Sequence, residues 1–169
     1  MVRLTGFHGT LQHKAENIIQ NGFIHSKKDT EWLGFGVYFF TKKQDAKKWA
    51  LLEADKDRNK GSSSSVLQCS ISCEDNEYFD LDNRKNMSGI LSCVSSVFEG
   101  LAGRNSTKIS DERQLRCIAC NYFAKKYGIK VYAYTFPGIK NNKIGFPFVL
   151  KQRQICVRSD ECIKDIREC

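Results

Sequence analysis

The chain has 169 residues, 41% of them hydrophobic and 27% charged, with a formal net charge of +8. That length suits one domain over residues 1–169 with a core of its own, and no window is apolar for long enough to span a membrane. The basic balance favours polyanionic partners such as nucleic acid or the phosphates of a cofactor, although the charges are scattered and a merely solvated basic surface is the competing reading.

Met1 lies seven residues before His8 with no basic-then-apolar leader pattern, so the expected compartment is the cytoplasm. The eight cysteines are expected to be free and mostly buried rather than a disulfide framework. A zinc site from Cys69/Cys73 and Cys117/Cys120 is not expected, because one pair falls in a strand-like run, the other in a helical run, and neither on a knuckle turn.

Val2 to Phe7 alternates as a strand does and delivers His8-Gly9-Thr10 at its end. A helix is expected from Thr10, with Leu11, Ala15, Ile18 and Ile19 as its buried stripe and Asn21-Gly22 as its stop. After a charged loop comes Trp32-Leu33-Gly34-Phe35-Gly36-Val37-Tyr38-Phe39-Phe40, whose last four residues read as a short buried strand. Two glycines one residue apart are costly to order, and suit a backbone that must turn or be closely approached.

Thr41-Lys42-Lys43-Gln44 matches a capping box for a helix to about Asp55, with Ala46, Trp49, Ala50 and Glu53 on one inward face. Gly61 and Ser62 to Ser65 read as a flexible connection, Ser65 to Ser72 as a strand, and Glu77 to Asp82 as a short extended piece. Ser88 to Leu101 reads as a helix ending at Gly103, and a further helix opens at Ser110-Asp111-Glu112 and closes at Gly128. Ile129 to Thr135 is a strand, Pro137-Gly138 and Asn141-Asn142 mark turns, and Arg153 to Val157 is a strand. Ser159 is expected to cap a last helix. Helices and strands do not alternate regularly, which points to α+β.

With Phe7-His8-Gly9-Thr10, Gly34-x-Gly36-x-Tyr38-Phe39 and the Ala46 to Trp49 helix in place, the sequence resembles the ADP-ribosyltransferase family of the poly(ADP-ribose) polymerase type, marked by a His–Tyr–Glu triad. The resemblance covers roughly the first 55 residues and the strand around Gln154. It implies an α+β fold with an ADP-ribosyltransferase-like split antiparallel β-sheet core flanked by helices. It also implies NAD as co-substrate, with no metal required.

Under that resemblance His8, Tyr38 and Gln154 hold the triad positions, with glutamine where the family has glutamate. His8 would hold a ribose hydroxyl on the adenine side, and Gly9 would grip the nicotinamide carboxamide through its main chain. Tyr38 and Trp49 would stack on the nicotinamide ring. Thr10, Gly36, Phe39 and Ala46 complete the implied cofactor-binding set; Ala46 stands where many members carry a serine hydroxyl. A neutral Gln154 can orient a ribose hydroxyl but lends no full charge to a cationic transition state. That implies transfer of a single ADP-ribose, with a base supplied by the acceptor or by Glu161 or Glu112.

The acceptor would be nucleic acid or protein, and the near-minimal domain resembles toxin or defence effectors, for which a cognate inhibitor protein would be a further partner. Two alternatives stay open: an RNA 2'-phosphotransferase-like enzyme of the same broad fold, and an inactive module binding NAD or ADP-ribose. His13 and His25 have no motif to support a role.

Overall fold

A computed structural model describes residues 1–102, 112–136 and 151–169. In chain order its elements are β1 (Val2–Leu11), α1 (Gln12–Asn21), β2 (Val37–Phe40), α2 (Lys43–Ala54), β3 (Ser64–Cys73), β4 (Tyr78–Asp80), α3 (Arg84–Ala102), α4 (Glu112–Tyr127), β5 (Val131–Phe136), β6 (Gln152–Val157) and β7 (Ile163–Glu168). The strands form a seven-stranded sheet in the order β4-β5-β6-β2-β1-β3-β7, flanked by helices. The α+β class therefore stands.

The sheet is not wholly antiparallel as expected, because β4 and β5 pair in parallel. Parallel neighbours need a crossover, and α3 and α4 lie in the chain between them.

The join in the middle of the sheet matters most. β1 pairs with β3 at ten positions, whereas β1 and β2 meet at one register pair, Phe7 opposite Phe40. On the far side β2 is fully paired to β6, with Val37 opposite Val157 and Phe40 opposite Gln154. The two halves of the sheet are thus hinged on Phe7–Phe40 and part beyond it.

Strand alternation divides the core. Val37, Phe39, Cys69, Ile71, Ile155 and Val157 fill one face. On the other, Tyr132, Cys156 and the half-buried Tyr38 pack against Cys120 and Phe123 of α4 and Ile90 of α3, while Phe40 and Val66 lie under Ala46 of α2. Full burial of a side chain such as Phe39 contributes on the order of 1.5–3 kcal/mol.

Several local expectations change. β1 runs on to Leu11, so α1 starts two residues later than expected; Leu11 is buried as a strand residue and Ala15 is the buried residue of α1, while Ile19 is exposed. The expected stop is present, with Gly22 at φ 82° donating its N–H to the Ile18 carbonyl at 2.8 Å. The capping box at Thr41 does not form: Lys42 is the N-cap, without a side-chain cap bond, and Thr41 instead donates its N–H to the Arg153 carbonyl at 3.2 Å. Thr41 is held to β6, so it cannot also cap α2.

The last expected helix is a three-residue turn, Asp160–Cys162, leading into β7, which covers the edge of β3. β3 starts at Ser64, one residue before the expected strand, so Ser64 belongs to it rather than to the connection. Gly103, Ser110, Asp111, Pro137-Gly138 and Asn141-Asn142 lie outside the described residues. The eight cysteines are free, seven of them buried, and no cluster fit for a metal is found among the described residues. No described helix is long and apolar enough to cross a membrane.

Candidate functional site: a cleft where the sheet parts

Beyond Phe7–Phe40 the two half-sheets open a cleft of about 840 Å³, lined by His8, Gly9, Thr10, Gly36, Tyr38, Phe39, Trp49 and Gln154 among others. Eight of the nine site residues that the resemblance implies thus share one cavity. Ala46 does not line it. It is fully buried against Phe40 and Val66, with its main chain against Gly9, so its side chain cannot touch a ligand there.

The main-chain geometry at Gly9 follows from strand directions. Gln12 donates its N–H to Ser63, so the even-numbered residues at the end of β1 turn their main-chain groups toward β3, and the odd-numbered ones turn theirs away. Thr41 bonds to β6, so Phe40 and Tyr38 direct theirs toward β1. After Phe7–Phe40 the next rung would set Gly9 opposite Tyr38, and that rung is absent from the ladder. The Tyr38 carbonyl is met instead by Nδ1 of His8 at 2.8 Å. Gly9 therefore presents an N–H and a C=O side by side to the open part of the sheet.

A carbonyl can only accept, so Nδ1 of His8 carries the proton and Nε2 holds a lone pair. Burial pushes the His8 pKa below its usual value, against the smaller opposing effect of the Tyr38 carbonyl. The ring is neutral at pH 7 and packs edge-on against Phe23 and Phe39, at centroid distances of 5.1 and 5.8 Å. Phe39 is fully buried and acts as the support beneath His8. Thr10 is buried on the His8 side of the strand.

Tyr38 commits its hydroxyl to the main chain of the glycine stretch. It accepts the Leu33 N–H at 2.8 Å and donates to the Gly34 carbonyl at 2.7 Å, while burial pushes its phenol far above the usual range. The hydroxyl is a clamp on the glycine turn. Asn121 accepts the Phe35 N–H and Arg158 donates to the Phe35 carbonyl, each at 2.8 Å, so the turn is held from three sides.

The glycines have packing reasons. Gly34 has φ 82°, and a Cβ on Gly36 would stand 2.6 Å from the Val157 carbonyl oxygen. At Gly9 a Cβ would stand 2.0 Å from the Ala46 carbonyl oxygen, so its lack of a side chain admits α2 to the sheet as well as baring its main chain.

Trp49 is not inward as expected: it is 46% exposed, its ring tilted against Phe40 at 6.4 Å with the Lys56 ammonium 6.0 Å from its centroid. Gln154 lies opposite Phe40 on β2 and Tyr134 on β5, and its amide has no hydrogen-bond partner among the described residues. The neighbouring Arg153 is held by Asp80, Asp82 and Tyr78.

Four features of the cleft escaped the sequence reading. Trp32 lines it with 42% exposure, its ring edge-on to Phe136 at 4.9 Å and covered by the Arg116 guanidinium at 4.7 Å. Lys14, Lys28, Lys56, Arg58 and Arg113 contribute cations to the lining. Glu31 also lines it, and so does Glu53, a residue noted in the sequence only for sharing the Trp49 face. The basic lining gives phosphate groups a favourable field. Trp32 was legible as the residue opening the glycine stretch, but distant cations such as Lys14 and Arg113 are brought together by folding alone.

The candidate base Glu161 is corrected: it pairs with Lys130 at 2.6 Å beside Glu77, in a separate hollow. The side chain of Glu112 lies outside the described residues. His25 has a partner after all, with Nε2 2.7 Å from Asp160.

No protein-family model and no solved structure matches this chain. It is similar to an uncharacterized protein of Methanocaldococcus jannaschii, MJ0359, at 34% identity over 82 residues, which are 47% of this chain and 38% of that protein. The chain thus matches well under half the length of that relative, whose name states no activity.

Proposed function

We propose that the chain is an NAD-dependent mono-ADP-ribosyltransferase, passing ADP-ribose to a nucleic-acid or protein acceptor with release of nicotinamide. One observation carries this reading: Gly9 offers a main-chain donor and acceptor side by side where the β1–β2 ladder breaks. A primary carboxamide has the complementary pair, an N–H and a C=O. The Tyr38 and Trp49 rings in the same lining suit a flat pyridinium. The lone pair on Nε2 of His8 suits a ribose hydroxyl, and the cations of the lining suit a pyrophosphate.

In the reaction these residues bind and orient NAD, and the glycosidic bond to nicotinamide breaks as positive charge develops on the ribose carbon. Gln154 orients a hydroxyl of that ribose without adding charge, consistent with single rather than repeated transfer. We assign the activity to the cytoplasm, where NAD is at hand and free thiols persist. The neutral amide at Gln154 also favours a second reading, a module that binds NAD or ADP-ribose without chemistry.

Calorimetry with NAD, followed by measurement of nicotinamide release, tests both. Binding with release supports the transferase, binding without release supports the module, and no heat with NAD or ADP-ribose overturns both.

A further inference from the structure

Building on the transferase reading, we propose that Glu31 is the carboxylate this site uses where Gln154 supplies none, facing the developing positive charge and taking the acceptor's proton. The described part of the cleft lining carries two carboxylates, Glu31 and Glu53. Glu53 is compensated, being ion-paired to both Lys56 and Arg58. Glu31 has no ammonium or guanidinium within ion-pair distance among the described residues; its carboxylate accepts from the neutral hydroxyl of Ser26. An anion left without a cation in a part-buried cleft retains its field for a positive charge that arrives with the substrate.

Its position is fixed as well as its charge. The Glu31 N–H reaches the Lys28 carbonyl at 3.3 Å, and Ser26 is tied to Gly36 by two main-chain bonds of 3.0 and 3.1 Å. Glu31 therefore stands on the same held turn as Trp32 and the Leu33–Gly34 clamp of Tyr38. Its charge is felt at the Tyr38 phenol, adding to the upward push of burial there. In the transferase reading the nicotinamide ring lies on Tyr38, and Glu31 shares the lining of the cleft in which the ribose would then sit.

The step balances without a further reagent. The bond from the ribose carbon to the pyridinium nitrogen breaks with its electron pair going to that nitrogen, which leaves as neutral nicotinamide. An acceptor hydroxyl, or water, forms the new C–O bond and gives its proton to the Glu31 carboxylate.

The test compares the full chain with Glu31→Gln, Glu31→Asp and Glu161→Gln, the last altering a carboxylate in a separate hollow, reading NAD affinity by calorimetry and nicotinamide release under single-turnover conditions. Gln keeps the oxygen that Ser26 donates to and removes the charge. Expected are a loss of about 100-fold or more in the rate for Glu31→Gln with NAD affinity within about threefold, a partial recovery in Glu31→Asp, and little change in Glu161→Gln.

If Glu31→Gln turns over at the wild-type rate, the role of Glu31 is wrong while the transferase reading stands. A parallel loss of affinity and rate would reduce Glu31 to a structural residue and likewise overturn the assignment. A wild-type protein that does not release nicotinamide overturns both. Should Glu31→Gln fail to fold, Ser26→Ala takes its place: a rate change of about threefold or more at constant KM is expected, and an unchanged rate overturns the assignment.

Discussion

Nδ1 of His8 stands 2.8 Å from the main-chain carbonyl of Tyr38, where a strand ladder would have set the N–H of Gly9. One side chain has replaced a main-chain partner, and three consequences share that cause. The half-sheets part, the Gly9 amide and carbonyl are left facing the cleft, and the imidazole is locked in the tautomer with its lone pair on Nε2.

The first prediction concerns pH. Burial holds the His8 pKa below its ordinary 6.5, so the unfolded chain takes up a proton at a pH where the folded chain does not. The stability linked to His8 is complete above about pH 6.5 and is lost as pH falls through the lower, folded-state value. Thermal melts between about pH 7 and about pH 5 should show the wild type losing more stability than His8→Asn. Parallel curves for the two proteins would remove the burial argument.

Tyr38 separates two roles. Tyr38→Phe keeps the ring but strands the N–H of Leu33, a residue only 1% exposed, and should cost about 1–3 kcal/mol in denaturant unfolding. NAD affinity should fall little in this variant. Tyr38→Ala should lose both stability and affinity, since the stacking surface goes with it. Equal NAD affinities for the two variants would show that the ring does not meet the ligand.

Much of this site was legible because its parts are local. His8-Gly9-Thr10 closes one strand, Gly34-x-Gly36-x-Tyr38 opens another, and Trp49 follows on the next helix. The reasons for the glycines were not legible, since the closeness of Gly9 to the Ala46 carbonyl and of Gly36 to Val157 belongs to the packed state. The capping box at Thr41 misled because its local preference competes with a rung to Arg153 that brings together residues far apart in the chain. The segment after Ser159 misled for a similar reason: its caplike start precedes residues that cover the open edge of β3. Glu31 carries no motif, and it draws notice only because it shares the lining with a Glu53 that is already neutralised.

Gly9→Ala is the natural variant for probing the carboxamide grip, and it should fail for a different reason. Its Cβ would sit 2.0 Å from the Ala46 carbonyl oxygen and 3.1 Å from the Ala50 nitrogen, both main-chain atoms of α2. Because a helix backbone cannot step aside as a side chain can, the cost should be about 3 kcal/mol, seen as a lowered denaturation midpoint. A Gly9→Ala protein of wild-type stability would mean that α2 does not rest on β1 as described.

Trp49 offers the cleaner probe because its two possible roles diverge in magnitude. With 46% of its surface exposed, and one tilted contact to Phe40 at 6.4 Å, it contributes little to the core; Trp49→Ala should cost less than about 1 kcal/mol of stability. A ring stacked on a flat ligand is worth about 1–3 kcal/mol, so the same variant should weaken NAD binding by about tenfold or more. Calorimetry on Trp49→Ala and Trp49→Phe reads the difference: Phe should restore much of the affinity through its own face. If NAD affinity is unchanged in Trp49→Ala, the second wall of the ring pocket is elsewhere in the lining, and Trp32, with its Arg116 cover at 4.7 Å, is the aromatic to replace next.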